Sequence, residues 1–71
     1  MHEDILYAVS QLPQNYLTAW WFVDVEGMSY EEAARASGFA RNTISVYVTN
    51  ARAKLKLILQ DYWRVKRDRP T

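Results

Sequence analysis

Apolar residues recur at helical spacing in four stretches of this chain and nowhere alternate as they would in a half-buried strand. The first stretch is about Glu3 to Gln11, with Ile5, Leu6 and Val9 as its apolar face. Leu12-Pro13 ends it, because proline fits the first turn of a helix but not its interior. The second runs from about Gln14 to Glu26 and stops at Gly27, where a left-handed cap is expected. Ser29-Tyr30-Glu31-Glu32 has the form of a capping box, with the Ser29 hydroxyl accepting from the Glu32 N–H and the Glu32 carboxylate accepting from the Ser29 N–H. It opens a short helix, about Tyr30 to Ser37, whose Ala33, Ala34 and Ala36 allow another helix to cross closely. Gly38 makes the next turn and Phe39 plugs the space beneath it. The last helix begins at Arg41 or Asn42. Its inward stripe is Ile44, Val48, Ala51, Leu55, Ile58 and Tyr62, at spacings of 4, 3, 4, 3 and 4. If it reaches Trp63 it has about 22 residues and a length of roughly 33 Å. The expected fold is all-α. A single small four-helix domain covers residues 1–71, with the first helix in 1–11, helices two to four in 12–63, and a basic tail over 64–71 in which Pro70 marks fraying.

Composition narrows the chemistry. With no cysteine there is no disulfide framework and no thiolate metal site, and the single histidine, His2, lies beside the terminus. Nucleophile–base pairs, metal-ligand clusters and glycine-rich phosphate loops are all missing from the pattern, so neither an enzyme nor a cofactor is expected. No apolar run approaches the roughly 20 residues that span a bilayer, and no signal-peptide pattern opens the chain. A cytoplasmic protein without a membrane or small-molecule partner is the expectation.

The net charge of +1 conceals an asymmetry. Residues 1–40 carry one base, Arg35, against six acids, a net of −5. Residues 41–71 carry eight bases against two acids, a net of +6. Such a division points to an anionic partner on one side, or to charges that merely solvate a helix and a tail.

A short helix, a Gly turn and a longer helix with Ile44 six positions after the Gly form a helix-turn-helix pattern. In that arrangement the first helix braces on the phosphate backbone while the second enters the major groove, which is wide enough to admit it. The flanking blocks are Leu12-Pro13, Val25-Glu26-Gly27, Met28-Ser29-Tyr30-Glu31-Glu32-Ala33-Ala34, Gly38-Phe39 with Thr43-Ile44, and Ala51-Arg52-Ala53-Lys54-Leu55. In order and spacing they closely resemble region 4 of the bacterial sigma-70 family, above all its extracytoplasmic-function (ECF) group, over about Leu12 to Leu59. A LuxR-type dimeric DNA-binding domain shares part of the second half but lacks the Leu-Pro start and the Ser-Tyr-Glu-Glu cap. The resemblance implies a module that reads the upstream (−35) promoter element with its last helix and docks on RNA polymerase core through the β flap.

Two features depart from the family pattern. Positions after the Thr-Ile pair that are usually basic hold Ser45, Tyr47 and Asn50. The candidate DNA-binding residues are therefore Arg41, Asn42, Ser45, Val46, Tyr47, Thr49, Asn50 and Arg52. Asparagine pairs with adenine, and Val46 suits a thymine methyl. Tyr47 either reaches a phosphate through its hydroxyl or packs on the neighbouring helix. Apolar residues are also in excess. Leu17, Trp21 and Val23 on the second helix, and Leu57, Leu59 and Trp63 on the fourth, lie outside the principal stripes and form a candidate protein interface. That surplus supports an alternative, a sigma-like adaptor acting mainly through protein contact with polymerase, an anti-sigma factor or another regulator, with weak DNA binding.

Overall fold

The computed structural model describes residues 3–68 of the chain, with side chains described for residues 5–62. Four α-helices make up the fold and no strand occurs among the described residues: α1 over Glu3–Ser10, α2 over Gln14–Trp20, α3 over Tyr30–Ser37 and α4 over Arg41–Asp68. The 28 residues of α4 span about 42 Å, most of the 48 Å long dimension of the molecule. It is the spine on which the other three helices pack.

Two apolar clusters lie along that spine. In the N-terminal half of α4, Ile44 and Val48 are fully buried against Ala19 of α2 and Ala33 of α3. Phe22, Val23, Met28, Tyr30, Ala34, Phe39 and Tyr47 close this cluster. Farther along, Ala51 and Leu55 meet Ala8 and Leu12, with Val9, Tyr16, Leu17, Trp20, Ile58 and Leu59 around them. Four of the eight buried core residues are alanines; their small side chains let the helices approach closely, so the core is built from short-range crossings rather than bulk.

The expected inward stripe of α4 is observed: its first four members are buried, Ile58 is half-buried, and Tyr62 stacks on Tyr7 of α1 with ring centroids 5.3 Å apart. The apolar face of α1 matches expectation at Ile5 and Val9, which are half-buried with Val9 against the second cluster, but not at Leu6. Ala8 is fully buried while Leu6 is 55% exposed. Where two backbones cross closely, a methyl fits and an isobutyl group does not, so the helix turns its smaller side inward.

α2 does not continue regularly to Glu26. After Trp20 the chain widens into a π-helical turn over Trp21–Val25. The Glu26 N–H donates to the Trp21 carbonyl, five residues back, at 3.0 Å. One extra residue per turn shifts the register of everything beyond it. The segment ends at Gly27, with φ 74°, and the Met28 N–H donates to the Phe22 carbonyl at 2.9 Å.

α3 has the capping box read from the sequence: the Glu32 N–H donates to Ser29 Oγ at 3.1 Å and the Ser29 N–H donates to Glu32 Oε1 at 3.0 Å. Those backbone and hydroxyl donors hold the Glu32 carboxyl below its usual value of 4.5. The helix closes at Gly38, φ 82°, in the left-handed region that non-glycine residues disfavour. α4 then runs to Asp68, past the expected end at Trp63, so residues 64–68 of the expected tail are helical. Arg64, Lys66 and Arg67 are good helix formers and the first proline comes only at position 70. Arg69 to Thr71 lie outside the described residues.

Candidate nucleic-acid interface

α3, the Gly38 turn and the start of α4 place one side of α4 inward and the opposite side outward. Successive residues turn about 100° around a helix, so Ile44 and Val46 point in nearly opposite directions. Ile44 is 0% exposed and Val46 is 55% exposed. Asn42 and Thr49 are exposed on the same outward strip as Val46, and Ser45 and Asn50 border it half-buried. The strip offers an amide, a hydroxyl and a branched apolar group, the set needed to address base edges.

Three of the candidates meet side chains of other parts of the molecule. Arg41 sits 3.9 Å from Glu31 of α3, with both side chains largely exposed, so the pair constrains Arg41 little. Tyr47 is half-buried between two rings, 5.2 Å from Tyr16 and 5.4 Å edge-on from Phe39. Its ring packs on neighbouring structure, as one of the two sequence readings held. Arg52 is engaged by Asp24 of the π turn: Nε donates to Oδ2 at 2.8 Å and Nη2 donates to Oδ1 at 2.6 Å. The guanidinium holds the Asp24 carboxyl below its usual value of 3.8, with a smaller contribution from Trp20, and the carboxylate pushes the Arg52 pKa up in turn. Sequence reading missed Asp24 because nothing local links two charges 28 residues apart.

The expected apolar interface divides. Leu17 and Leu59 are half-buried against the Ala8–Leu12–Ala51–Leu55 cluster, and Val23 against the Ala19–Ala33–Ile44–Val48 cluster. α2 and its π turn serve both clusters, which uses more than one stripe of the segment and draws residues expected on the surface into the packing. Trp21 and Leu57 stay outside, 36% and 62% exposed, and Val25 joins them at 43%. Trp63 lies beyond the described side chains. Among the described residues no group of acidic and histidine side chains is arranged to hold a metal ion, and no helix is long and apolar enough to cross a membrane.

Comparison with known proteins agrees with this geometry. The family described as "Sigma-70, region 4" matches residues 2–55. That match includes Leu12-Pro13 and Ser29 to Glu32, the two blocks that set the pattern apart from a LuxR-type domain. The ECF RNA polymerase sigma factor EcfG of Rhodopseudomonas palustris (strain TIE-1) is 40% identical over 57 residues, which make up 80% of this chain and 32% of that relative. The chain thus spans about a third of the length of the curated relative it matches. No solved structure shows significant similarity to it. A helix-turn-helix with an outward polar strip, matched to this family over most of its length, makes the chain a member of the sigma-70 region 4 family, a sigma-factor-like DNA-binding transcription module and not an enzyme.

Proposed function

We propose that this module binds the upstream (−35) promoter element by laying α4 in the major groove, and that it docks on RNA polymerase, at the β flap, through the earlier helices. One observation carries the reading: the strip of Asn42, Val46 and Thr49 stands outward on the side of α4 opposite the fully buried Ile44 and Val48. A helix so anchored presents a fixed surface without internal rearrangement. Asn42 addresses adenine, Val46 a thymine methyl, and Ser45, Thr49 and Asn50 offer hydrogen bonds to bases or phosphates. Arg41, at the first turn of α4, supplies a phosphate contact.

The test is fluorescence anisotropy with promoter duplexes at low salt, in pairs whose thymines are replaced by uracil. Wild-type protein should bind the thymine duplex more tightly, and Val46→Ala should abolish that difference. Asn42→Ala should weaken binding about tenfold or more, on the scale of a lost base contact. No binding to any duplex at low salt would overturn the reading.

A second reading is favoured by the exposed Trp21, Val25 and Leu57 together with the scarcity of cations on the front of α4. Here the chain is an adaptor held mainly by protein contacts with polymerase or a regulator such as an anti-sigma factor. Pull-down with purified core polymerase distinguishes the two: retention lost in Trp21→Ser while duplex affinity is weak in every variant supports the adaptor.

A further inference from the structure

We infer that Asp24 withholds Arg52 from the DNA backbone and so sets an upper limit on the module's electrostatic affinity; the inference rests on the DNA-binding reading above. Ser45, Arg52 and Lys56 are separated by seven and four residues and line one flank of α4 beside the reading strip. A cation at position 52 is therefore placed where phosphates run when α4 lies in a groove. Its charge is already matched. Asp24 takes two of the five guanidinium N–H donors in a bidentate pair.

The surroundings of Asp24 oppose a shared arrangement in which Arg52 holds carboxylate and phosphate at once. Asp24 lies in the last turn of the second helical segment, where unpaired backbone carbonyls concentrate negative potential, and the exposed Glu26 follows two residues later. A phosphate at Arg52 would sit against all three. The carboxylate acts as an internal counterion that DNA must displace, and the net release of salt ions at that position is close to zero. The widened π turn places Asp24 at this spot: one extra residue in the turn changes which side chain of the segment lies over α4.

The experiment is a salt titration of duplex binding, from 50 to 200 mM, on the wild-type chain, Asp24→Asn, Arg52→Gln and the double variant. The probe is a labelled AT-rich duplex about two helical turns long. Asparagine keeps the shape of Asp24 but sets an NH2 donor in place of one acceptor, so the bidentate pair is broken and the charge removed without leaving a gap. Asp24→Asn should bind more tightly than wild type at 50 mM. Its affinity should fall roughly 3.5 times further across the range, the mark of one added phosphate contact. Arg52→Gln should leave the wild-type slope unchanged, and the double variant should cancel the gain. If Arg52→Gln lowers the slope in the wild-type background, or Asp24→Asn weakens binding, Asp24 steadies Arg52 on a phosphate and the inference is overturned while DNA binding stands. If no variant binds at 50 mM, both fail together.

Discussion

Two substitutions two residues apart on α4 should behave oppositely, and together they test the whole orientation of the helix. Ile44→Ala removes three carbons from a site with no exposure. At about 0.8 kcal/mol per buried methylene, transfer alone contributes about 2.4 kcal/mol. A cavity contribution adds to this, because two of the closest neighbours, Ala19 and Ala33, are single methyls fixed to backbone and cannot move in to fill the gap. Phe22, Phe39 and Tyr47 can close part of it, so the expected loss is about 3 kcal/mol, inside the 2–5 kcal/mol found for such truncations. A domain of 71 residues has a total stability of about 4–10 kcal/mol, so the variant loses a large share of it. Its melting temperature should fall by at least about 12 °C. Val46→Ala removes two carbons from a side chain that is 55% exposed. Its stability should change by no more than about 0.5 kcal/mol, since alanine's higher helix propensity offsets the little packing lost. Urea unfolding followed by far-ultraviolet circular dichroism and tryptophan fluorescence measures both. An Ile44→Ala loss under about 1 kcal/mol at unchanged denaturant dependence, or equal losses at the two sites, would refute the placement of α4.

Other outcomes follow from the same geometry. Ser29→Ala should destabilise the domain by about 1 kcal/mol by removing the hydroxyl that accepts from the Glu32 N–H, read in the same urea titration. Gly38→Ala meets no atom within 4 Å, so its effect should be confined to the positive φ, about 1 kcal/mol, with the wild-type fold retained by circular dichroism. The depressed Asp24 pKa means its contribution is fully present above the unfolded value, near 3.8, and is lost as pH falls through the lower folded value. Acid unfolding should therefore destabilise wild type more steeply below about pH 4 than it does Asp24→Asn, whose profile should be flatter there.

The parts of the fold that were legible in the sequence are those fixed by local chemistry. Ser29 and Glu32 cap a helix by contacts three residues apart, Gly38 occupies a backbone region open mainly to glycine, and the Ile44-to-Tyr62 stripe repeats with the helical period. The π turn was hidden because Trp20-Trp21-Phe22-Val23 is apolar on every side, and a segment without a polar phase cannot report whether its turn holds four residues or five. On α1 the pattern places Ile5 and Val9 inward but misleads at Leu6 for a similar reason: Leu6 outweighs Ala8 in apolarity, while a close crossing selects for size. Tyr47 carried two readings because its ring suits a core and its hydroxyl suits a phosphate; only its position between Tyr16 and Phe39 shows where the ring goes. The Asp24–Arg52 pair depends on tertiary contact alone.

Both apolar clusters draw half of their buried residues from the one continuous rod of α4. Neither half of the molecule can melt while the other keeps its partner surface, so amide exchange at Ile44, Val48, Ala51 and Leu55 should require global opening and show a single protection level. A weakening anywhere along that axis, even beside Ala8, reaches the Asn42–Thr49 end as a change in the time it spends intact.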